Sequence, residues 1–242
     1  DFLLGIAIKS PFSPSITLIS WTTNTLSIVI ETTALILPSL AILLTLIRKT
    51  HKAYIRTKGF NFSLSGLVGF DLHKKTVGVV GTGKIGRVFI NICRGFGMKI
   101  LAYDKYPAPD LAKDDTVRYV PIDTLLRESD IISLHCPLTE ETHHLINAES
   151  IKLMKPTAIF INTARGGLID EAALLSALKE GRIYGAGIDA FAQEPPEDPA
   201  WFELDNVVIG SHCAASTTGA TRYDNAWYPR IKKVSDDLYV MF

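Results

Sequence analysis

The sequence is poor in cysteine and has no excess of charge. Its 242 residues include three cysteines, and none of them forms a Cys-x-x-Cys pair, which argues against both a disulfide framework and a cysteine-rich zinc site. No other group of His, Cys and acidic residues has ligand spacing, so no metal site is predicted. Lys and Arg together number 25, as do Asp and Glu, so no nucleic-acid-binding surface is indicated. The composition favours a small-molecule ligand and a reducing compartment.

The sequence also lacks a hydrophobic run that is long enough to cross a membrane. Its most apolar stretch, ALILPSLAILLTLI, covers residues 34–47 and has 14 residues, whereas a spanning helix needs about 20. We therefore predict a buried helix that starts near Ser39, with Pro38 just outside it. The opening stretch, DFLLGIAIKSPFSPS, has neither the basic region nor the cleavage site of a signal peptide, so a cytoplasmic location is expected.

Short apolar runs alternate with helical patterns from Thr76 onward, which indicates βαβ units and an α/β fold with a doubly wound parallel sheet. The predicted strands are 76–80, 99–103, 117–120, 131–135, 158–162, 184–189 and 207–210. Apolar spacing and capping residues predict helices over 84–96 and 170–181, with shorter ones over 121–129 and 147–154. Seven such strands are typical of a complete Rossmann domain.

A glycine triplet follows the first of these strands, in the segment TVGVVGTGKIGRVF (76–89). Gly81, Gly83 and Gly86 match GxGxxG, a pattern that is weak alone but stronger where a strand ends just before it and a helix begins within it. Gly81 permits a tight turn, Gly83 allows the backbone to approach a pyrophosphate, and Gly86 allows the helix to lie close to the strand. The segment therefore predicts a dinucleotide site, with a turn that binds nothing as the alternative.

Asp104 directly follows the next predicted strand, 18 residues after Gly86, where a carboxylate is expected to accept hydrogen bonds from the adenosine ribose. Its charge would repel a 2′-phosphate, which favours NAD over NADP. Lys105, the next residue, weakens that preference.

Three polar side chains follow three other predicted strands. Arg165 comes after 158–162, Glu194 after 184–189 and His212 after 207–210, and the carboxyl ends of parallel strands meet at one edge of the sheet. Histidine can carry the proton that accompanies hydride transfer at a hydroxyl-bearing carbon. Arginine can bind a neighbouring carboxylate in bidentate fashion, and a glutamate can orient the imidazole and favour its charged form. These residues predict a hydride-transfer enzyme, although each of them alone could have a surface or packing role.

Three long segments occur in the motif order of a known enzyme family. The segment RKTHKAYIRTKGFNFSLSGLVGFDLHKKTVGVVGTGKIG resembles the D-lactate dehydrogenase branch of the D-isomer-specific 2-hydroxy-acid dehydrogenases. The segments INTARGGLIDEAALLSALKEGRIYGAGIDAFAQEPP and NVVIGSHCAAST are closer to the family's glycerate and phosphoglycerate members. The resemblance covers residues 48 to about 220. It implies a homodimer that interconverts a small D-2-hydroxy acid, of the D-lactate or glycerate type, and its 2-oxo acid with NAD.

The resemblance also implies roles by position. The pyrophosphate would lie at residues 82–85 and the nicotinamide amide near Asp189, and the catalytic residues would be Arg165, Glu194 and His212. The residues expected to bind the cofactor are Gly81, Thr82, Gly83, Lys84, Ile85, Gly86, Asp104, His135, Cys136, Pro137, Thr139, Thr163, Ala164, Arg165, Asp189 and His212.

The first 47 residues depart from the family pattern, in which a longer substrate-binding domain precedes the helix that corresponds to the segment starting at Arg48 and Lys49. We expect residues 1–38 to be a remnant or altered form of that domain. Residues 39–213 would be the NAD-binding Rossmann domain with its leading interdomain helix, and residues 214–242 a C-terminal helical return segment. The departure leaves two alternatives open: a non-catalytic NAD-binding pseudoenzyme or NAD-sensing interaction module, and a form tethered to a membrane by residues 26–47.

Overall fold

The computed structural model describes residues 6–8, 17–19, 23–213, 231–235 and 238–241, and describes side chains over residues 36–213. Its strands in chain order are β1 (Ile6–Ile8), β2 (Thr17–Ile19), β3 (Thr76–Val80), β4 (Lys99–Tyr103), β5 (Val117–Tyr119), β6 (Ile131–Leu134), β7 (Ile159–Asn162), β8 (Gly185–Ile188), β9 (Val207–Ile209), β10 (Ile231–Ser235) and β11 (Leu238–Met241). Its helices are α1 (Thr23–Arg48), α2 (Thr50–Lys58), α3 (Lys84–Gly95), α4 (Ile122–Glu128), α5 (Ala148–Leu153) and α6 (Glu171–Lys179).

Seven of these strands form one sheet whose pairs are all parallel, in the order β5-β4-β3-β6-β7-β8-β9. Within this sheet, β3 is the first strand and lies in the middle. The next two strands add outward to β5, and the chain then returns to β6 beside β3 and adds strands outward to β9. This is a doubly wound Rossmann sheet, which confirms the predicted fold. The direction of winding reverses between β3 and β6, where such sheets bind ligands beyond the carboxyl ends of their strands.

All seven predicted strands are present, and five of them are shorter than predicted by one residue at one or both ends. They could be read from apolar runs because β3, β6, β7 and β8 are covered on both faces. One face carries a core formed with α1 and α3, and the other a core formed with α4, α5 and α6.

The four helices predicted between the strands are also present, and two of them have the side-chain caps that the sequence suggested. The Asp170 carboxylate accepts a hydrogen bond from the backbone of Ala173 at 3.0 Å at the start of α6. The Asn147 side chain accepts from the backbone of Ser150, whose hydroxyl accepts from the Asn147 N–H at the start of α5. Such caps satisfy donors that would otherwise have no intrahelical partner.

The prediction that the leading helix starts near Ser39 is wrong, because α1 begins at Thr23 and contains Pro38. A proline inside a helix removes one backbone hydrogen bond and crowds the preceding turn. Ile36 lies before the proline and Leu43 after it, and both are completely buried in the same core. Burial of one face of α1 before and after Pro38 therefore favours a helix that continues through the proline. The prediction of a buried helix rather than a membrane span is confirmed for this part of α1.

Within residues 36–213, no helix is long and apolar enough to span a membrane. The C-terminal segment differs from the predicted helix in the residues that are described there, because β10 and β11 pair as antiparallel strands. The rest of that predicted helix lies outside the described residues. The proposed boundaries between the three parts of the chain stay predictions.

Candidate active site

The glycine turn lies at the reversal point between β3 and β6. Gly81 has φ of 96°, and a Cβ there would lie 2.6 Å from the backbone nitrogen of Cys136. A Cβ on Gly86 would lie 2.0 Å from the carbonyl oxygen of Gly81. Both positions therefore require glycine, the first for its backbone angle and both for the close approach.

The start of α3 suits a phosphate group. The helix begins at Lys84, and its N-cap, Gly83, supplies no side-chain hydrogen bond. No atom lies within 4 Å of a Cβ placed on Gly83, so the space in front of the helix is open. The N–H groups and the positive dipole end of a helix N-terminus favour an anion at such a position. The residues present here fit the pyrophosphate of a dinucleotide.

Asp104 follows β4, and backbone and side-chain donors surround its carboxylate. Oδ2 accepts from the backbone N–H and the hydroxyl of Thr82, at 2.6 and 2.9 Å, and Oδ1 accepts from the N–H of Tyr106 at 2.9 Å. Burial alone would raise the pKa of Asp104, but these hydrogen bonds outweigh it and hold the pKa below its ordinary value. The carboxylate is thus ionised and fixed in orientation beside the glycine turn.

Lys105, which weakened the expected preference for NAD, is paired with an acidic side chain. Its ammonium group lies 2.6 Å from both carboxylate oxygens of Glu141, and the hydrogen bond to Glu141 raises the pKa of Lys105. Glu141 therefore balances the one cation that follows Asp104 directly. Both side chains are more than half exposed, so this pair weakens, but does not abolish, the contribution that Lys105 could make to binding a 2′-phosphate.

The HCPLT segment follows β6 and faces the glycine turn. The N–H of His135 donates to the carbonyl of Val80 at 2.7 Å, and its Nε2 lies 2.9 Å from the Ser133 hydroxyl. Although part of His135 is still accessible to solvent, closely packed neighbours desolvate the ring and lower its pKa to about 3. Burial likewise raises the pKa of the Cys136 thiol to about 11. Both side chains are therefore neutral, and neither brings a charge to the pyrophosphate position.

The far end of HCPLT closes into a turn of its own. The Thr139 N–H donates to the hydroxyl of Thr142, and that hydroxyl donates to the carbonyl of Pro137. This turn fixes the direction in which the segment leaves β6.

The loop after β7 carries Thr163, Ala164 and Arg165. Asn162, which is completely buried, accepts from the N–H of Ala164 at 3.1 Å and donates to the carbonyl of Arg165 at 2.9 Å. The Thr163 hydroxyl lies 2.6 Å from the hydroxyl of Ser39 on α1. The exposed Arg165 guanidinium donates to the carbonyl of Ala164 at 2.7 Å. The loop is therefore held from both sides, while Arg165 is accessible to a ligand.

His212 and Glu194 form a pair near the carboxyl ends of β8 and β9. Nδ1 of His212 lies 2.8 and 3.0 Å from the two carboxylate oxygens of Glu194, and Glu194 also accepts from the N–H of Phe191 at 3.1 Å. The glutamate is thus fixed by the backbone of its own loop and in turn fixes the ring. Asp189, which is buried, accepts from the N–H of Cys213 at 3.3 Å and holds the segment after β9.

The Arg165 loop and the Glu194 loop are in direct contact. A Cβ on Gly166 would lie 2.0 Å from the carbonyl carbon of Phe191 and 2.1 Å from the nitrogen of Ala192. The Glu171 carboxylate accepts from the N–H of Ala192 at 2.6 Å and fixes the same backbone. The structure therefore brings the loops of Arg165, Glu194 and His212 to one edge, as the sequence predicted, and places the glycine turn and Asp104 at the same edge.

Residues 40–214 match the sequence model of the NAD-binding domain of the D-isomer specific 2-hydroxyacid dehydrogenases. The chain belongs to this family. NAD is the cofactor of the matched domain, in agreement with the sequence prediction. The match begins inside α1 and ends two residues after His212, whereas the resemblance read from the sequence covers residues 48 to about 220.

Known 2-hydroxyacid dehydrogenases resemble this chain in sequence and in structure. The glyoxylate reductase of Korarchaeum cryptofilum is 44% identical over 208 residues, which are 84% of this chain and 61% of that enzyme. The apo-structure of the Escherichia coli D-lactate dehydrogenase superposes with a TM-score of 0.74 at 43% identity, over 78% of this chain and 60% of that one. The Aquifex aeolicus D-lactate dehydrogenase, complexed with NAD and lactic acid, gives 0.72 at 36% identity, over 79% and 62%. The chain thus spans about 60% of the length of these relatives.

The sequence prediction missed several residues that shape this family site. Asn162 could have been found, because it is a polar residue at the end of an apolar strand. The contributions of Ser39, which contacts Thr163, and of Tyr119, whose hydroxyl donates to Thr82, carry no local signal, since these partners lie 124 and 37 residues away. Among the described residues, no group of three or more His, Cys, Asp or Glu side chains is arranged to hold a metal ion.

Proposed function

We propose that this chain carries the catalytic and cofactor-binding half of an NAD-dependent dehydrogenase that interconverts a small D-2-hydroxy acid and its 2-oxo acid. The observation that carries the proposal is the pair of His212 with Glu194 at the cofactor edge of the NAD-binding domain. Relatives that act on glyoxylate and D-lactate support a small substrate. The cytoplasm is the proposed location, in line with the sequence.

The chemistry follows from the three side chains. NAD supplies the hydride acceptor, and NADH the hydride donor, when bound. His212 gives a proton to the carbonyl oxygen of the 2-oxo acid through Nε2, because its Nδ1 is held by Glu194. The negative Glu194 stabilises the imidazolium that donates this proton. Arg165 binds the substrate carboxylate and polarises the adjacent carbonyl, a role that suits an exposed guanidinium held by the carbonyl of Ala164.

The cofactor would be held by the residues that the sequence singled out. The N-terminus of α3 at Gly83 and Lys84 would receive the pyrophosphate, and Asp104 would receive the adenosine ribose. Thr163, Ala164 and Asp189 would lie along the nicotinamide half, beside His212. An intact His–Glu pair and an accessible arginine favour catalysis over a module that only binds NAD.

Two measurements on the same protein test this proposal. NADH binding is followed by fluorescence, and turnover is followed by the loss of NADH absorbance with glyoxylate, pyruvate and hydroxypyruvate. We expect saturable NADH binding and turnover with one or more of these acids. Binding without turnover would favour the non-catalytic alternative, and the absence of binding would contradict both.

We also propose that two copies of the chain associate through α2 and the segment that follows it. No residue of α2 is buried, and six large apolar side chains on α2 and the segment are more than half exposed: Tyr54 63%, Ile55 68%, Phe60 91%, Phe62 75%, Leu64 78% and Val68 81%. The segment is nevertheless ordered, because Arg56 donates to the carbonyl of Ser65 at 2.5 Å and Lys49 to that of Gly66 at 3.0 Å. An ordered apolar surface of this kind is typical of an interface, and the family resemblance points to a second copy.

Replacing both Phe60 and Phe62 with aspartate is expected to convert a dimer into a monomer, because two charges would be buried without partners in the interface. Sedimentation velocity at micromolar concentrations measures the change. Tyr106→Asp is the matched control, since Tyr106 is 77% exposed and follows β4 at the cofactor edge of the sheet, and it should leave the dimer intact. A wild-type monomer, or a double variant that sediments like wild type, would contradict the proposed interface.

A further inference from the structure

A chain of hydrogen bonds connects the edge of the sheet to the Asp104 carboxylate. Tyr119 lies on the edge strand β5, and its hydroxyl donates to Oγ1 of Thr82 at 2.8 Å. The Thr82 hydroxyl donates to Oδ2 of Asp104 at 2.9 Å. The N–H of Ala108 donates to the Tyr119 oxygen at 3.2 Å. Tyr119 and Thr82 are 37 residues apart and Thr82 and Asp104 are 22 apart, so the tertiary fold brings them together.

The direction of this chain is fixed at both ends. The backbone N–H of Ala108 can only donate, and an ionised Asp104 can only accept. Each hydroxyl between them has a single hydrogen, so both hydrogens must point towards the carboxylate. Hydrogen bonds that run in one direction polarise one another, and those that end on a charged acceptor are the stronger kind. Thr82 is 2% exposed, so water does not compete effectively for its hydroxyl.

The chain also determines which carboxylate oxygen remains for a ligand. An ionised carboxylate has about four acceptor positions, two on each oxygen. On Asp104, Oδ2 receives both the N–H and the hydroxyl of Thr82, whereas Oδ1 receives, from the part of the chain that is described, the N–H of Tyr106 alone. Oδ2 is therefore saturated, and Oδ1 has one position left.

We propose that Tyr119 is a positioning residue for cofactor selection. Through Thr82 it holds Asp104 so that Oδ1 is presented to a ribose hydroxyl and the charge cannot rotate away from a 2′-phosphate. This inference rests on the proposed function, in which Asp104 receives the adenosine ribose of NAD. A carboxylate that could rotate would bind the ribose hydroxyls less well and would also repel a phosphate less strongly. Loss of the Tyr119 hydroxyl should therefore reduce the discrimination between the two cofactors.

Dissociation constants of the full chain for NADH and NADPH, measured separately by fluorescence titration, test the inference. In Tyr119→Phe we expect the constant for NADH to rise by about five- to tenfold, within the range for one lost hydrogen bond between neutral groups. The constant for NADPH should change by less than about twofold, since the weaker repulsion offsets the looser site. The ratio of the NADPH dissociation constant to the NADH dissociation constant, which measures the preference for NADH, should therefore fall by several-fold.

Two variants at Thr82 and one control make the test specific. Thr82→Ser keeps the hydroxyl and should keep the wild-type ratio, whereas Thr82→Val removes it and should lower the ratio at least as much as Tyr119→Phe. Tyr184→Phe is the control, because Tyr184 packs against Phe70, away from Asp104. An unchanged ratio in Tyr119→Phe, or equal weakening of both cofactors, would overturn the role of Tyr119 and leave the proposed function intact. A wild-type protein that bound neither cofactor would instead overturn the proposed function.

Discussion

Replacing His212 with asparagine is expected to lower kcat for 2-oxo acid reduction by about 10²–10⁴-fold, the usual range for loss of a general acid. Asparagine keeps a polar side chain beside Glu194 but cannot deliver a proton at neutral pH. The dissociation constant of NADH should change far less than kcat, because the glycine turn and Asp104 lie elsewhere along the edge. Steady-state kinetics and NADH titration of the same preparation measure the two effects.

Glu194→Gln should lower kcat for 2-oxo acid reduction by about tenfold, a smaller loss than in His212→Asn. The amide can still contact Nδ1 of His212 and hold the ring, but it has no charge to stabilise the imidazolium that donates the proton. Steady-state kinetics measure the loss. His73→Asn is the control: His73 is exposed and lies just before β3, at the opposite edge of the sheet. Equal activity in His212→Asn and wild type would contradict the assigned proton donor.

The sequence predicted most of the sheet and most of the candidate site, for a shared physical reason. Strands buried on both faces are apolar runs, and polar residues at their carboxyl ends have few structural reasons to be there. Arg165, Glu194 and His212 could therefore be found without knowledge of their contacts. The caps Asn147 and Asp170 could be found because their partners are three residues away.

What the sequence could not predict depends on contacts between distant segments. The predicted start of α1 was wrong because it relied on the rule that proline is excluded from the interior of a helix. The burial of Ile36, which only the packed core reveals, outweighs that rule at Pro38. The pairing of Lys105 with Glu141 spans 36 residues, and no charge pattern indicates it. The same holds for Tyr119, whose position on an edge strand suggests nothing about Asp104.

Replacing Gly166 with alanine is expected to be the most damaging small substitution near the site. The added Cβ would lie between 2.0 and 2.3 Å from three backbone atoms of Phe191 and Ala192, and a backbone cannot move aside as the end of a side chain can. We expect a loss of roughly 3 kcal/mol or more in the free energy of unfolding, at the upper end of the range for overpacking. Denaturant unfolding measures it.

Gly167→Ala is the matched control, because the two glycines are adjacent and the substitution is the same. A Cβ on Gly167 would meet only the end of the Leu138 side chain, at 2.8 Å, which a rotamer change can relieve at a cost of about 1 kcal/mol or less. Gly166 also joins the loop of Arg165 to the loop of Glu194. An alanine at position 166 would push these two loops apart and so displace Arg165 and Glu194. Any Gly166→Ala protein that remains folded should therefore lose more in kcat than in NADH affinity. Equal stability and equal kcat in the two alanine variants would contradict this contact between the loops.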